Sequence, residues 1–188
     1  MKVLALHGSP NEGGLTESLA KAALAGAAEL GAETELVRLT DLEIAHCGQC
    51  ENGWGKCREE GWCVIEDDFE QVRQKVREAD AWVLVTPVYF GDLSESVRAF
   101  TDRLRRCNTG AKGEGLAEKP VLGVAAAGGS GRGIATCLVS LDRLLTHLSA
   151  QIADLITVTR RSADYKREAC RAAAKAMVEA MAEHGRPS

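Results

Sequence analysis

The chain has 188 residues, 45% of them hydrophobic and 27% charged, with a net charge of −4. That length and apolar share suit one compact α/β domain over 1–188 and leave little room for two. The acidic balance argues against nucleic acid as a main partner, no apolar run approaches the ~20 residues of a membrane span, and the absence of a secretory-signal pattern leads us to expect a cytoplasmic protein.

Lys2 to His7 is an apolar run that ends in a loop, Gly8-Ser9-Pro10-Asn11-Glu12-Gly13-Gly14. Thr16 then opens a helical pattern, with Leu19, Ala20, Ala23, Leu24 and Ala27 on one face. Strand, loop and helix N-terminus together make an anion site, because first-turn N–H groups are free and the helix dipole favours negative charge. The loop has no Lys or Arg, so a phosphate there is held by backbone N–H groups, the hydroxyls of Ser9 and Thr16, and the amide of Asn11. A Walker A loop needs Gly-Lys-Ser/Thr, which is missing, and Pro10 breaks a Gly-x-Gly-x-x-Gly fingerprint. A loop suited to one terminal phosphate, as on a mononucleotide, remains; so does an ordinary strand–helix turn with Thr16 as N-cap.

Glu33 to Leu39 reads as the second strand, and a Cys-rich insert follows over about 46–66. Asp67 or Asp68 caps a helix to about Ala79 that turns Phe69, Val72 and Val76 inward. Ala81 to Thr86 is continuously apolar, as in a central parallel strand covered on both faces. The loop Pro87-Val88-Tyr89-Phe90-Gly91-Asp92 leads to a helix that begins at Ser94 or Glu95. A polar, Gly-rich stretch over 108–119 is predicted to be a mobile loop. Pro120 to Ala127 forms a fourth strand that ends in Gly128-Gly129-Ser130-Gly131-Arg132-Gly133. A helix over 134–148, a strand over 150–159 and a helix over 163–184 complete the chain. Five strand–helix repeats predict a doubly wound parallel sheet in the order 2-1-3-4-5 with right-handed crossovers. Ligands of such sheets bind outside the C-terminal strand ends at the switch point, here between the first and third strands. Three special loops fall at that edge.

These motifs resemble the NAD(P)H-dependent FMN reductases of the flavodoxin-like superfamily. Leu-His-Gly-Ser-Pro at 6–10 with Gly14 and Thr16 is similar to their phosphate loop, and Thr-Pro-Val-Tyr-Phe-Gly at 86–91 to their second flavin loop. Gly128 to Gly133 is similar to the third. Cys63-Val-Ile-Glu-Asp-Asp-Phe69 closes a loop like that of the iron–sulfur flavoproteins of the same superfamily. The resemblance implies FMN, with its phosphate on Ser9, Asn11 and Thr16. The ring would lie along Pro87, Val88, Tyr89, Phe90 and Gly91, with Gly128, Gly129 and Arg132 at its other side. Leu15 departs from the pattern, since many relatives have Asn there. The implied activity is hydride transfer from NAD(P)H to flavin and on to a quinone, nitro or azo compound, or metal ion. A flavin electron carrier between protein partners is the alternative, and a thiol-based redox sensor is a third reading. A homodimer or higher homo-oligomer is also implied.

Cys47, Cys50, Cys57 and Cys63 crowd into the insert, whereas Cys107, Cys137 and Cys170 are scattered and read as small buried residues. Four readings of the insert stay open: a [4Fe–4S] cluster on four thiolates, structural zinc, a redox disulfide between Cys47 and Cys50, and a metal-free loop. The spacing after Cys50 is longer than iron–sulfur flavoproteins usually show. Trp54 and Trp62 suit either a cover over a cofactor or an interface. Trp82 is expected in the core, and His7 as a satisfied structural group. His46 can serve as a further ligand, and His147 and His184 read as surface residues. Arg103, Arg105 and Arg106 read as a solvated basic helix face, with capture of a nicotinamide 2′-phosphate as the functional alternative.

Overall fold

The computed structural model describes residues 1–109 and 116–184. Its strands are β1 (Lys2–His7), β2 (Glu33–Arg38), β3 (Ala81–Pro87), β4 (Pro120–Ala127) and β5 (Gln151–Thr159). Its helices are α1 (Leu15–Ala28), the short α2 (Lys56–Glu59), α3 (Phe69–Glu78), α4 (Glu95–Asn108), α5 (Ile134–His147) and α6 (Ala163–His184). The strands form one sheet in the order β2-β1-β3-β4-β5, and every pair in it is parallel. The predicted topology therefore holds.

Alternation along the strands builds a core on each face. Leu4, Leu6, Trp82 and Leu84 pack with Phe69 and Val72 of α3, Phe100 and Leu104 of α4, and Leu141 and Leu145 of α5. Val3, Ala5, Val83 and Val85 pack on the other side with Leu19 and Ala23 of α1 and Cys170, Ala174 and Met177 of α6. The helices α1 and α6 cross where Gly26 meets the backbone of Arg171: a Cβ on Gly26 would stand 2.0 Å from the Arg171 carbonyl oxygen.

Three local expectations change. Thr16 is not the cap of α1. The helix starts at Leu15 with Gly14 as N-cap and no side-chain cap, and Thr16 is buried in its first turn. The strand β2 ends at Arg38, because Leu39 turns into a 3-10 turn (Leu39–Asp41) that places its side chain in the core. The stretch expected to be a mobile loop lies outside the described residues over 110–115, and Leu116 after it is buried. Cys107, Cys137 and Cys170 are buried as expected, as is Trp82.

Candidate functional site

The loops after β1, β3 and β4 are stitched together by their backbones at the C-terminal edge of the sheet. Gly8 donates its N–H to the Val85 carbonyl at 3.2 Å and accepts from the Ser96 hydroxyl at 3.1 Å. No side chain fits at Gly8, since a Cβ would stand 2.4 Å from Ser94 Oγ and 2.5 Å from Val97 Cγ2. Loop and α4 N-terminus are thereby locked together. Ser9 is buried, its hydroxyl accepts from the Asn11 N–H at 3.3 Å, and its carbonyl accepts from Thr40 Oγ1 at 3.2 Å. His7 Nδ1 accepts from the Ser9 N–H at 3.4 Å, and burial pushes the imidazole below its usual range. This is the structural role expected of it, holding the loop from beneath. Asn11 is exposed, and Leu15 packs against the core under α1. That contact explains what an apolar residue does at position 15.

The loop after β3 closes as a two-residue turn. Tyr89 and Asp92 exchange N–H to carbonyl bonds at 3.1 and 2.9 Å, around Phe90 and Gly91 at φ +50° and +78°. Two consecutive left-handed residues make a type I′ turn, which glycine favours and an aromatic residue rarely adopts. Tyr89 is half-buried, and Phe90 projects fully into solvent. Asp92 anchors the turn through Arg98 at 2.5 Å and the Leu93 N–H at 2.8 Å. Burial pushes its carboxyl up, but those hydrogen bonds and the Arg98 charge outweigh it and hold it below the usual range.

The loop after β4 meets this turn backbone to backbone. Gly133 sits at φ +76°, where a Cβ would stand 2.6 Å from the Gly91 Cα. Thr136 Oγ1 spans the junction with bonds to the carbonyls of Gly91 at 2.7 Å and Gly133 at 2.9 Å. Gly128 is half-buried, while Gly129 and Arg132 are exposed at the loop's outer side. The structure thus brings the β1 loop to the β3 loop through α4, and the β3 loop to the β4 loop through α5. Sequence reasoning missed Ser96, Thr136 and Glu17. Glu17 was detectable from its place three residues after the Gly14 cap, where an acid reaches back. Its carboxylate accepts from the Gly13 N–H at 2.7 Å, and Lys21 and that N–H hold it below its usual range.

The Cys-rich insert is a second construction, pinched at its neck and seated on α4. Glu43 N–H donates to Asp68 at 2.8 Å, Ala45 N–H to Asp67 at 2.8 Å, and Asp68 N–H to the Glu43 carbonyl at 3.1 Å. Arg103 crosses this neck. Its guanidinium reaches Asp67 at 2.6 Å and the carbonyls of Ala45 and Ile65 at 3.1 Å each, and it lies over the Phe69 ring at 4.2 Å. Arg106, one turn on, donates to the Gly53 carbonyl and stacks over Trp54 at 4.9 Å. Two sequence readings are corrected here. Arg103 is 1% exposed, so it belongs neither to a solvated face nor to an open nucleotide site. Its side chain is drawn inward because Asp67, the insert carbonyls and the Phe69 face supply partners that water would otherwise provide. Asp68 is the N-cap residue of α3, while Asp67 accepts from the Phe69 N–H at 3.0 Å and is chiefly the neck's anion. Arg105 alone fits the open basic face, beside Arg98, Asp102, Arg143 and His147.

Cys47, Cys50, Cys57 and Cys63 all line one cavity between insert and α4, together with Arg103, Arg106 and Cys107. Burial pushes the Cys107 thiol up to about 12, so it stays protonated at neutral pH. All seven thiols are free, and His46 is exposed. Trp54 is half-buried beneath Arg106 and Arg58, the latter 5.7 Å from its ring, whereas Trp62 is exposed. Among the described residues no three His, Cys, Asp or Glu side chains are grouped as a metal ion requires. The chemistry of the donor set nevertheless suits a four-thiolate group: the four Cys of the insert line one cavity, with cations and no carboxylate in the same lining.

The sequence matches the family described as NADPH-dependent FMN reductase over residues 1–164. The chain belongs to that family. Among curated relatives it is 41% identical over 110 residues to an iron–sulfur flavoprotein of Methanocaldococcus jannaschii, covering 58% of this chain and 55% of that one. It is 39% identical over 111 residues to an iron–sulfur flavoprotein of Methanosarcina thermophila, covering 57% and 56%. The chain thus spans about half the length of the curated relatives it matches. Similar solved structures include RosB with a bound 8-demethyl-8-formylriboflavin-5′-phosphate intermediate (TM-score 0.76, 17% identity, 97% of this chain and 81% of that one). They also include a flavodoxin from the domain Archaea (TM-score 0.66, 13% identity, 97% and 99%). The fold of this family member is flavodoxin-like. Among its described residues no helix is long and apolar enough to cross a membrane.

Proposed function

We propose that this chain is an FMN-dependent oxidoreductase that takes reducing equivalents from NAD(P)H and delivers them to a small acceptor such as a quinone, a nitro or azo compound, or a metal ion. The observation that carries the reading is the junction of three loops at the switch point, in a chain of the FMN reductase family. The flavin, when bound, supplies the redox chemistry, accepting and donating hydride at N5. The chain's residues bind and orient it. The amides of the first turn of α1, with the Ser9 and Thr16 hydroxyls and the Asn11 amide, hold the phosphate without a cationic side chain. The Val88 to Gly91 backbone and the half-buried Tyr89 form one wall for the ring, and Gly128, Gly129 and Arg132 face its other side. The insert is the seat of a [4Fe–4S] cluster on Cys47, Cys50, Cys57 and Cys63, a reading supported by the donor set and by the names of the curated relatives. A homodimer or higher oligomer completes the proposal, and light scattering on the purified protein checks it.

The deciding experiment is the visible spectrum of protein purified without oxygen, before and after NADPH. A flavin spectrum bleached by NADPH supports the reductase. Added broad absorption with matching iron and sulfide supports the cluster. Bleaching by dithionite but not by NADH or NADPH replaces the reductase with an electron carrier. Protein that is colourless and fails to bind added FMN overturns both flavin readings. The phosphate site carries its own expected result. Changing Ser9 and Thr16 together to Ala removes two hydrogen bonds to a charged group, about 1.5 kcal/mol each at the low end, and should weaken FMN binding about a hundredfold. A fluorescence titration reads it; unchanged affinity would move the phosphate elsewhere.

A further inference from the structure

Two observations at the insert cavity are not used by its thiols. Arg103 Nε is buried and has no hydrogen-bond partner, although both terminal nitrogens of the guanidinium are engaged, and Arg103 lines the same cavity as Cys63. Arg106 has no carboxylate partner among the described residues; it meets only the Gly53 carbonyl and the Trp54 ring. The other cation in the lining, Lys56, is matched by Glu60 at 2.5 Å, and Arg103 by Asp67 at 2.6 Å. Among the described residues the cavity wall therefore carries one surplus positive charge and one unused buried donor. A disulfide or neutral thiols would leave the charge uncompensated and offer the donor only a weak acceptor. A buried donor without an acceptor is destabilising, and an arginine cannot shed its proton to avoid that penalty.

We propose that Arg103 and Arg106 are positioning residues that make this cavity selective for an anionic, thiolate-liganded centre, Arg103 by donating to ligand sulfur and Arg106 by supplying the counter-charge that sets the centre's reduction potential. The inference rests on the cluster reading above for its redox part only. Both arginines lie on one face of α4, three residues apart, so the rigid helix fixes their positions while the insert supplies the sulfur. Each thiolate gathered around one centre adds negative charge, which nearby cations stabilise most in the most negative state. Removing the charge of Arg106 therefore disfavours the reduced form.

The test uses the full chain with Arg106→Gln, Arg106→Lys and Arg103→Lys. Arg106→Gln should keep its iron and sulfide while the midpoint potential of the centre shifts to more negative values, and the flavin potential stays in place. Arg106→Lys keeps the charge and should restore the parent potential. Arg103→Lys keeps a charge but loses the planar fork, and should retain less iron through gel filtration. An unchanged potential in a fully loaded Arg106→Gln protein overturns the proposal, as does an equal shift in Arg106→Lys, which would indicate packing. Titration of the iron-free proteins with Zn²⁺ separates the two readings. Arg106→Gln should bind Zn²⁺ about tenfold more weakly than the parent. Zn²⁺ binding with this charge dependence, in a parent that takes up no iron and sulfide, sinks the cluster and keeps the inference. Loading of iron and sulfide with no response of either readout to charge sinks the inference and keeps the cluster. A parent that takes neither overturns both.

Discussion

Changing Asp67 to Ala is expected to lower the stability of the protein by about 3 kcal/mol at pH 7. Arg103 is 1% exposed, and Asp67, at 11%, is its only carboxylate partner among the described residues. Removing one partner of a buried pair leaves an uncompensated charge, which costs 3–5 kcal/mol, and the slight exposure of Asp67 places this case at the low end, about 3. The Ala45 and Phe69 N–H groups lose their acceptor as well. The pH dependence follows from the sign of the shift. Burial raises the Asp67 carboxyl, but Arg103 and the two N–H donors outweigh it and hold it below its usual range. A carboxylate depressed on folding stabilises above its unfolded value, near 3.9, and loses that contribution as pH falls through the folded one. The gap between parent and variant should thus be full at pH 7 and shrink below about pH 4. Urea unfolding at the two pH values measures it, and equal midpoints at pH 7 would show that the pair contributes nothing.

Gly26 to Val is expected to cost about as much by a different route. The Cβ would enter space occupied by the Arg171 carbonyl oxygen, and backbone cannot swing aside as a flexible side chain does. Overpacking typically costs 1–3 kcal/mol, and a backbone-to-backbone clash belongs at the upper end, about 3. For a chain of this size that lowers the melting temperature by about 10 °C. Ala25 to Val, on the exposed side of the same helix, adds the same branched residue without the clash and should shift it far less. Similar losses in both would assign the effect to helix propensity rather than to the crossing of α1 and α6.

How far the sequence reaches can be judged from these residues. The strand order was legible because the alternating and continuous apolar runs of β1, β3 and β4 are dictated by burial on one or two faces. The three loops were legible because turn chemistry is local: Gly91 and Gly133 announce left-handed backbone. Their contact was not legible, since nothing in either loop records that it touches the other. Arg103 was misread for a related reason. A helix face carrying Arg103, Arg105 and Arg106 looks solvated until the partners, which lie 36 to 58 positions away, are in place. The crowding of Cys47, Cys50, Cys57 and Cys63 pointed to the residues that line the cavity, but to neither the neck nor the cations around them.

The way the insert is attached has a consequence for how the molecule comes apart. Between its neck and its tip the insert has only a 3-10 turn at Glu51–Gly53 and the four-residue α2, and it is held to the body by two arginines of α4 and by the packing of Cys57 and Cys63 against the core. Such a segment opens as a cooperative unit of its own, at a lower free energy than the sheet. Backbone amides of the insert will exchange with solvent deuterium through this local opening, while those of β1 and β3 wait for the whole domain to unfold. A thiolate-held centre of the kind proposed above would act as a latch on one foldon, so its removal by a chelator is expected to melt the insert and leave the three-loop junction standing.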